Sequence, residues 1–288
     1  MATGTNIRTY YEGRWSDKDE LIMRAGDHGA WLGSTVFDGA RYFDGVVPDL
    51  RAHCDRVNNS ARAMMITPSV TTDDMVSIIW EGLRLFPTES AVYIRPMYWA
   101  QDGGDLAIIP KENSTGFAIC LEDIPMANQD SHATLTTTSF RRPVLEDNVV
   151  NAKAGCLYPN NARMLAEARK KGYSNALVCD VMGNVAETAT ANIFLVKDGE
   201  VLTPISNGTF LAGITRDRHI LNLKRGGFTV FERVLTPSDF LAADEVFMSG
   251  NMMKVTAVSA FEHKKYHIGP VSKTVREMYW DWALSEKR

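Results

Sequence analysis

The chain has 288 residues, 45% of them hydrophobic, enough for ordinary buried cores and, at roughly 150 residues per domain, for about two of them. Its 31 basic and 35 acidic residues leave a net charge of -4 and are spread along the sequence, so no basic surface is offered to nucleic acid or to an anionic membrane, and a small molecule is the better default ligand. The four cysteines, Cys54, Cys120, Cys156 and Cys179, form no C-x-x-C pair, which argues against a zinc site or a disulfide framework and fits a reducing cytoplasm.

Residues 1–6 are small and polar, and no apolar run is long enough to cross a bilayer, so neither export signal nor anchor is expected. Residues 7–15 alternate polar and aromatic around a Glu12-Gly13 turn and read as an opening hairpin. The glycine-punctuated stretch 27–42 holds no G-x-G-x-x-G and hence no dinucleotide loop. A helix follows over 50–65, with Cys54, Val57, Ala61 and Met64 on the core stripe and Arg51, Arg56 and Arg62 elsewhere. A second runs over 72–86: Thr71 or Thr72 caps it, Asp73 and Asp74 favour its positive end, and Met75, Ile79 and Leu83 face inward. The strand 91–98 puts Tyr93 and Arg95 on one face. That pair suits a carboxylate, or is simply a surface arginine on a half-exposed strand. After a strand at 117–121, the polar, aperiodic stretch 122–132 is the expected linker between a domain of residues 1–121 and one of residues 133–288.

In the second half a helix is expected over 159–171, with Pro159 in its first turn, Leu165 and Ala166 inward and Gly172 as its stop. Strands at 176–180 and 192–196 are separated by a Gly183-Asn184 turn, and Glu187 lies between them among uncharged neighbours. A carboxylate so placed is either buried with a cationic partner or sits in a loop. Gly213-Ile214-Thr215 opens a helix to about Lys224, presenting backbone N–H groups and a hydroxyl that suit phosphate, or that form an ordinary cap. Strands over 228–234 and 245–248 lead to Ser249-Gly250-Asn251-Met252-Met253, a second turn with backbone donors. An amphipathic tail, 274–284, closes the fold by packing.

One stretch organises the chemistry. Asn151-Ala152-Lys153-Ala154-Gly155-Cys156-Leu157-Tyr158-Pro159-Asn160 sets Lys153 alone among small, uncharged residues just ahead of a helix. Partial desolvation there disfavours the ammonium form and makes a neutral amine available for Schiff-base chemistry. An amine-forming lysine, a nearby tyrosine, an isolated glutamate and two phosphate-type turns together meet the needs of one cofactor, pyridoxal phosphate: aldehyde, phenolic oxygen, ring nitrogen and phosphate each find a candidate partner.

These residues resemble class IV, fold type IV pyridoxal phosphate aminotransferases, and among them those similar to branched-chain amino acid aminotransferases. The signature is Glu187-Thr188-Ala189-Thr190-Ala191-Asn192-Ile193-Phe194, then Thr203-Pro204, then Leu211-Ala212-Gly213-Ile214-Thr215-Arg216. The resemblance implies a mixed α/β, two-domain fold: a smaller N-terminal α/β domain, and a larger β-barrel-like C-terminal domain with surrounding helices that carries the lysine. It implies that Lys153 is the Schiff-base lysine, that Tyr158 bonds the cofactor's phenolic oxygen, that Glu187 partners the pyridine nitrogen, that Arg56, Ile214, Thr215 and Asn251 hold the phosphate, and that Leu211 packs on the ring. On the substrate side it points to Phe37, Tyr93, Arg95, Met252 and Met253. An amino acid or amine donor and a keto acid acceptor, plausibly 2-oxoglutarate, would react in a ping-pong cycle on a cytoplasmic homodimer, with no metal. Three departures stand out: Asn251-Met252-Met253 replaces Thr-Ala-Ala, Leu32 replaces a tyrosine, and Phe37-Asp38-Gly39 replaces Phe-Glu-Gly. A D-amino acid or (R)-amine transaminase, or an aminodeoxychorismate lyase, would share the cofactor residues.

Overall fold

The opening hairpin follows from its turn: β1 (Thr5–Tyr11) and β2 (Arg14–Ser16) are joined by Glu12 at φ 49° and Gly13 at φ 80°, two successive left-handed residues of the kind a tight hairpin requires. This computed structural model describes residues 4–287; residues 1–3, the start of the polar lead, and Arg288 lie outside the described residues. A short helix α1 (His28–Trp31) and two three-residue strands, β3 (Thr35–Phe37) and β4 (Ala40–Tyr42), follow. Then come α2 (Leu50–Ala63), α3 (Thr72–Leu83), β5 (Val92–Ala100) and β6 (Thr115–Asp123). The strands pair antiparallel in the order β2-β1-β6-β5-β3, with β4 also on β5. Because β3 and β4 share one neighbour, Asp38 and Gly39 form the corner between them. Only glycine fits there: a Cβ on Gly39 would lie 2.4 Å from the Tyr93 hydroxyl.

Both early helices bury the stripes their spacing predicts. On α2 Leu50, Cys54, Val57 and Ala61 are buried, while Met64, expected on the stripe, is the half-buried C-cap. The polar residues His53, Asn58 and Ser60 are buried beside them. On α3 Met75, Ile79 and Leu83 are buried, and the Thr71 hydroxyl accepts the Asp74 N–H at 3.2 Å, a stabilising cap. The expected linker begins inside the sheet, for β6 continues through Glu122 to Asp123.

The remaining elements are β7 (His132–Arg141), α4 (Tyr158–Lys170), β8 (Asn175–Cys179), β9 (Val185–Thr188), β10 (Asn192–Lys197), β11 (Glu200–Pro204), α5 (Ile214–Arg225), β12 (Val230–Arg233), α6 (Pro237–Ala242), β13 (Glu245–Gly250), β14 (Lys254–Phe261), β15 (Lys264–Lys265) and α7 (Pro270–Ser285). Their sheet runs β12-β11-β10-β13-β14-β7-β8-β9, with β15 on β14, and its β11–β12, β14–β7 and β7–β8 pairs are parallel. β9 turns directly into β10 through the Thr188 N–H bonded to Ala191 O at 2.8 Å, which brings this end strand against β10 and β11 of the same sheet. Apolar side chains fill it from several strands, among them Leu135, Leu177, Ile193, Val246 and Phe261. On α4 the inward residues are Met164 and Ala168, with Leu165 alongside; Ala166, expected inward, is exposed, because the buried face follows the i, i+4 row through Met164.

Contacts divide the described chain into two compact units: residues 4–126 with 151–157 and 286–287, and residues 127–150 with 158–285. The segment carrying Lys153 thus belongs to the first unit, whereas the sequence reading assigns it to the second half.

Candidate active site

Lys153 lies on a strap whose main chain is pinned on both sides. Its N–H donates to Ser60 Oγ at 3.0 Å, its carbonyl accepts the Phe37 N–H at 3.1 Å, and the next residue, Ala154, bridges Val36 in β3. The glycine that follows is sterically required, since a Cβ on Gly155 would fall 2.2 Å from Thr35 Oγ1. The half-buried lysine holds its Nζ 5.1 Å from the Phe37 ring centroid, so the structure brings these two candidates together.

Arg56 projects from α2 to a partner the sequence reading leaves without a role. Asp38 is fully buried; it accepts from Arg56 Nε at 2.6 Å and Nη2 at 2.9 Å, and from His53 Nδ1 at 2.7 Å. Burial alone would push its carboxyl up, but the Arg56 charge and the His53 hydrogen bond outweigh burial and hold it well below the usual carboxylate range. An ionised carboxylate only accepts, so His53 presents its Nδ1 proton to it. The signal lay in the sequence: Asp38 at a strand corner, and His53 and Arg56 one helical turn apart.

Tyr93 and Arg95 do share a face of β5, with the guanidinium 5.4 Å from the tyrosine centroid. Arg95 also donates to the Glu122 carboxylate on β6, so it is not a solvated surface charge. Leu32, where the resemblance expects a tyrosine, is exposed.

In the second unit Glu187 lies on β9 and not in a loop, with its Oε1 3.0 Å from Arg142 Nε. Arg142 Nη2 donates to Thr188 O at 3.0 Å and Ala189 O at 3.3 Å, fixing the fork against the strand end. Asn192 Nδ2 reaches Glu187 Oε2 at 3.5 Å and Leu211 O at 3.3 Å, tying the carboxylate to the half-buried Leu211 loop. Tyr158 is the first residue of α4 and is partly exposed.

Ile214 and Thr215 open α5, whose N-cap Gly213 supplies no side-chain cap; a Cβ on Gly213 would strike Asn192 Oδ1 at 2.0 Å. Arg216 is committed elsewhere, to Pro204 O at 2.9 Å and Glu232 Oε2 at 2.7 Å. Ser249 Oγ near the end of β13 and Asn251 Nδ2 on the turn after it are buried with no hydrogen-bond partner, followed by half-buried Met252 and Met253. Buried donors left open beside an uncapped helix start suit an anion such as a phosphate. The residues present therefore fit a cofactor bearing an aldehyde, a basic ring nitrogen and a phosphate. Among the described residues no group of His, Cys, Asp and Glu is placed to hold a metal ion, and no helix is long and apolar enough to cross a membrane.

The mixed α/β frame is that of a pyridoxal phosphate-dependent transaminase of fold type IV. The chain belongs to the amino-transferase class IV family, whose profile matches residues 35–261. It is 31% identical to the branched-chain-amino-acid aminotransferase of Escherichia coli K12 over 284 residues, 95% of this chain and 91% of that one. Among solved structures it is similar to an aminotransferase from Brucella abortus bound to the cofactor PLP, with TM-score 0.95, 53% identity, and 96% and 99% of the two chains covered. The Escherichia coli branched-chain enzyme superposes with TM-score 0.88 at 27% identity, covering 98% and 96%.

Proposed function

We propose that the chain moves the amino group of a branched-chain L-amino acid to 2-oxoglutarate by a ping-pong mechanism. The observation that carries this reading is the Lys153 strap, held through its own N–H and C=O so that the side chain can move while its anchor does not. When bound, pyridoxal phosphate supplies an aldehyde that condenses with amines and a ring that takes up the electron pair left at the substrate's Cα. In its amine form, Lys153 accepts the proton from that carbon and returns it. Glu187, its charge balanced by Arg142, keeps a proton on the ring nitrogen. Arg56, Ile214, Thr215 and Asn251 bind the phosphate, Tyr158 bonds the phenolic oxygen, and Leu211 packs on the ring. Phe37, Tyr93, Arg95, Met252 and Met253 line the substrate side. The family resemblance supports a homodimer, and the absence of disulfides among the four thiols suits a cytoplasmic setting.

A second reading, a D-amino acid or (R)-amine transaminase, is favoured by the Arg95–Glu122 pair, which already compensates the arginine meant for an L-substrate's carboxylate. A donor panel with 2-oxoglutarate separates the two: L-leucine and L-valine turn over under the first, D-alanine or an (R)-arylamine under the second. Lys153→Ala tests both, since it should remove the visible absorbance of the lysine-linked cofactor; an unchanged spectrum would remove the central residue.

A further inference from the structure

Gly250 pairs with Lys254 across β13 and β14, closing a loop of Asn251, Met252 and Met253, and Lys254 sits at φ 60°. Hairpin loops of this length ordinarily give that left-handed position to glycine. A lysine there is a poor local choice, and its side chain is fully buried besides. Its ammonium donates to Asn251 Oδ1 at 2.6 Å and lies 5.4 Å from the Tyr279 ring centroid on α7. From α5, His219 Nε2 lies 3.1 Å from the Lys254 carbonyl, and its ring meets Tyr279 edge-on at 5.3 Å.

That contact settles which way the asparagine amide points. An ammonium accepts nothing, so only the amide oxygen can face it. Asn251 Nδ2 is therefore turned the other way, where it is buried without a partner in the chain, as is the hydroxyl of the fully buried Ser249. Both lie beside the α5 start, Ser249 near the end of β13 and Asn251 on the turn after it: Ser249 pairs with Asn192 across β13 and β10, and Asn192 Oδ1 is the atom a Cβ on Gly213 would strike.

We propose that Lys254 is a positioning residue for the phosphate monoester of the cofactor. It locks the Asn251 amide so that Nδ2, together with Ser249 Oγ and the first N–H groups of α5, donates to the phosphate oxygens. Asparagine thereby does with an amide and a borrowed orientation what a threonine hydroxyl would do by rotation. The inference rests on the cofactor reading given above.

The test compares apoenzyme binding of pyridoxal phosphate, of inorganic phosphate and of pyridoxal, which lacks the phosphate. Lys254→Met should weaken the first two about tenfold, the worth of one charge-supported hydrogen bond, and leave pyridoxal unchanged. Asn251→Ala should do the same. The double variant should be no weaker than either single one, because the lysine acts through the asparagine. Unchanged pyridoxal phosphate binding in Lys254→Met, an equal loss for pyridoxal, or additive losses in the double variant would each overturn the proposal. Should Lys254→Met not fold, an unchanged ratio of the two vitamer affinities in Asn251→Ala overturns it as well. A wild-type protein that takes up no pyridoxal phosphate at all would instead sink the cofactor reading beneath it.

Discussion

Replacing Asp38 by asparagine removes one charge and almost no volume from the most enclosed ion pair of the first unit. The carboxylate is fully buried and takes three side-chain bonds, at 2.6, 2.7 and 2.9 Å, from Arg56 and His53. Removing one partner of a buried pair costs about 3–5 kcal/mol, because the other charge is left behind. Arg56 retains a little solvent access, which favours the lower end, about 3 kcal/mol. At roughly 2–4 °C per kcal/mol for a chain of this size, the melting temperature should fall by about 6–12 °C. The pH dependence has a definite sign. Asp38 titrates below its unfolded value, so the folded state binds fewer protons than the unfolded one between the two, and the pair's contribution is complete above the ordinary carboxylate value of about 4. Below that it is progressively lost. Thermal melts of the two proteins should thus differ by a constant amount near neutrality and converge as pH drops under about 4. A gap of under about 2 °C at pH 7, on the same scale, would refute this account of how Arg56 is held.

Glu187→Ala should retain cofactor absorbance while kcat falls about a hundredfold, the typical worth of a placed proton partner; near-wild-type turnover contradicts the ring-nitrogen assignment. Gly155→Ala drives a Cβ to 2.2 Å from Thr35 Oγ1 and should cost about 1–3 kcal/mol, with Thr35→Ala in the same chain restoring the melt. Failure of that second change to help would show the glycine serves something else. Arg142→Met strips the guanidinium from Glu187 and should depress turnover alongside Glu187→Ala without adding to it, a non-additivity read from the double variant.

Lys153 stood out as a candidate because its neighbours are small and uncharged, a local property. The contacts of two arginines were not legible: Arg142, just past the end of β7, meets Glu187 on β9, and Arg95 meets Glu122 on the neighbouring β6, approaches that only the folded sheets create. The spacing of Tyr93 and Arg95 correctly gave their common face, since alternation is built into a strand, but said nothing of the strand opposite. β7 escaped as a strand for a different reason. Its Thr136, Thr137 and Thr138 bury or bond their hydroxyls against the carboxylates of Glu262 and Glu167, so no apolar alternation marks it. On α2 the opposite happened: the apolar stripe was plain, while nothing in the helical spacing marked the buried polar residues His53 and Ser60 between its members, which hold Asp38 and Lys153.

The non-contiguous make-up of the first unit has a consequence for how the protein is born. Its edge at Val36 and Phe37 stays open until the strap of residues 151–157 has been synthesised, so an emerging polypeptide cannot finish its amino-terminal body before Lys153 has left the ribosome. The parallel register of Leu135 with Phe261 likewise holds the second body back until Phe261 has been read, a delay inherent in pairing distant segments. The first body and the strap that carries Lys153 are therefore completed together.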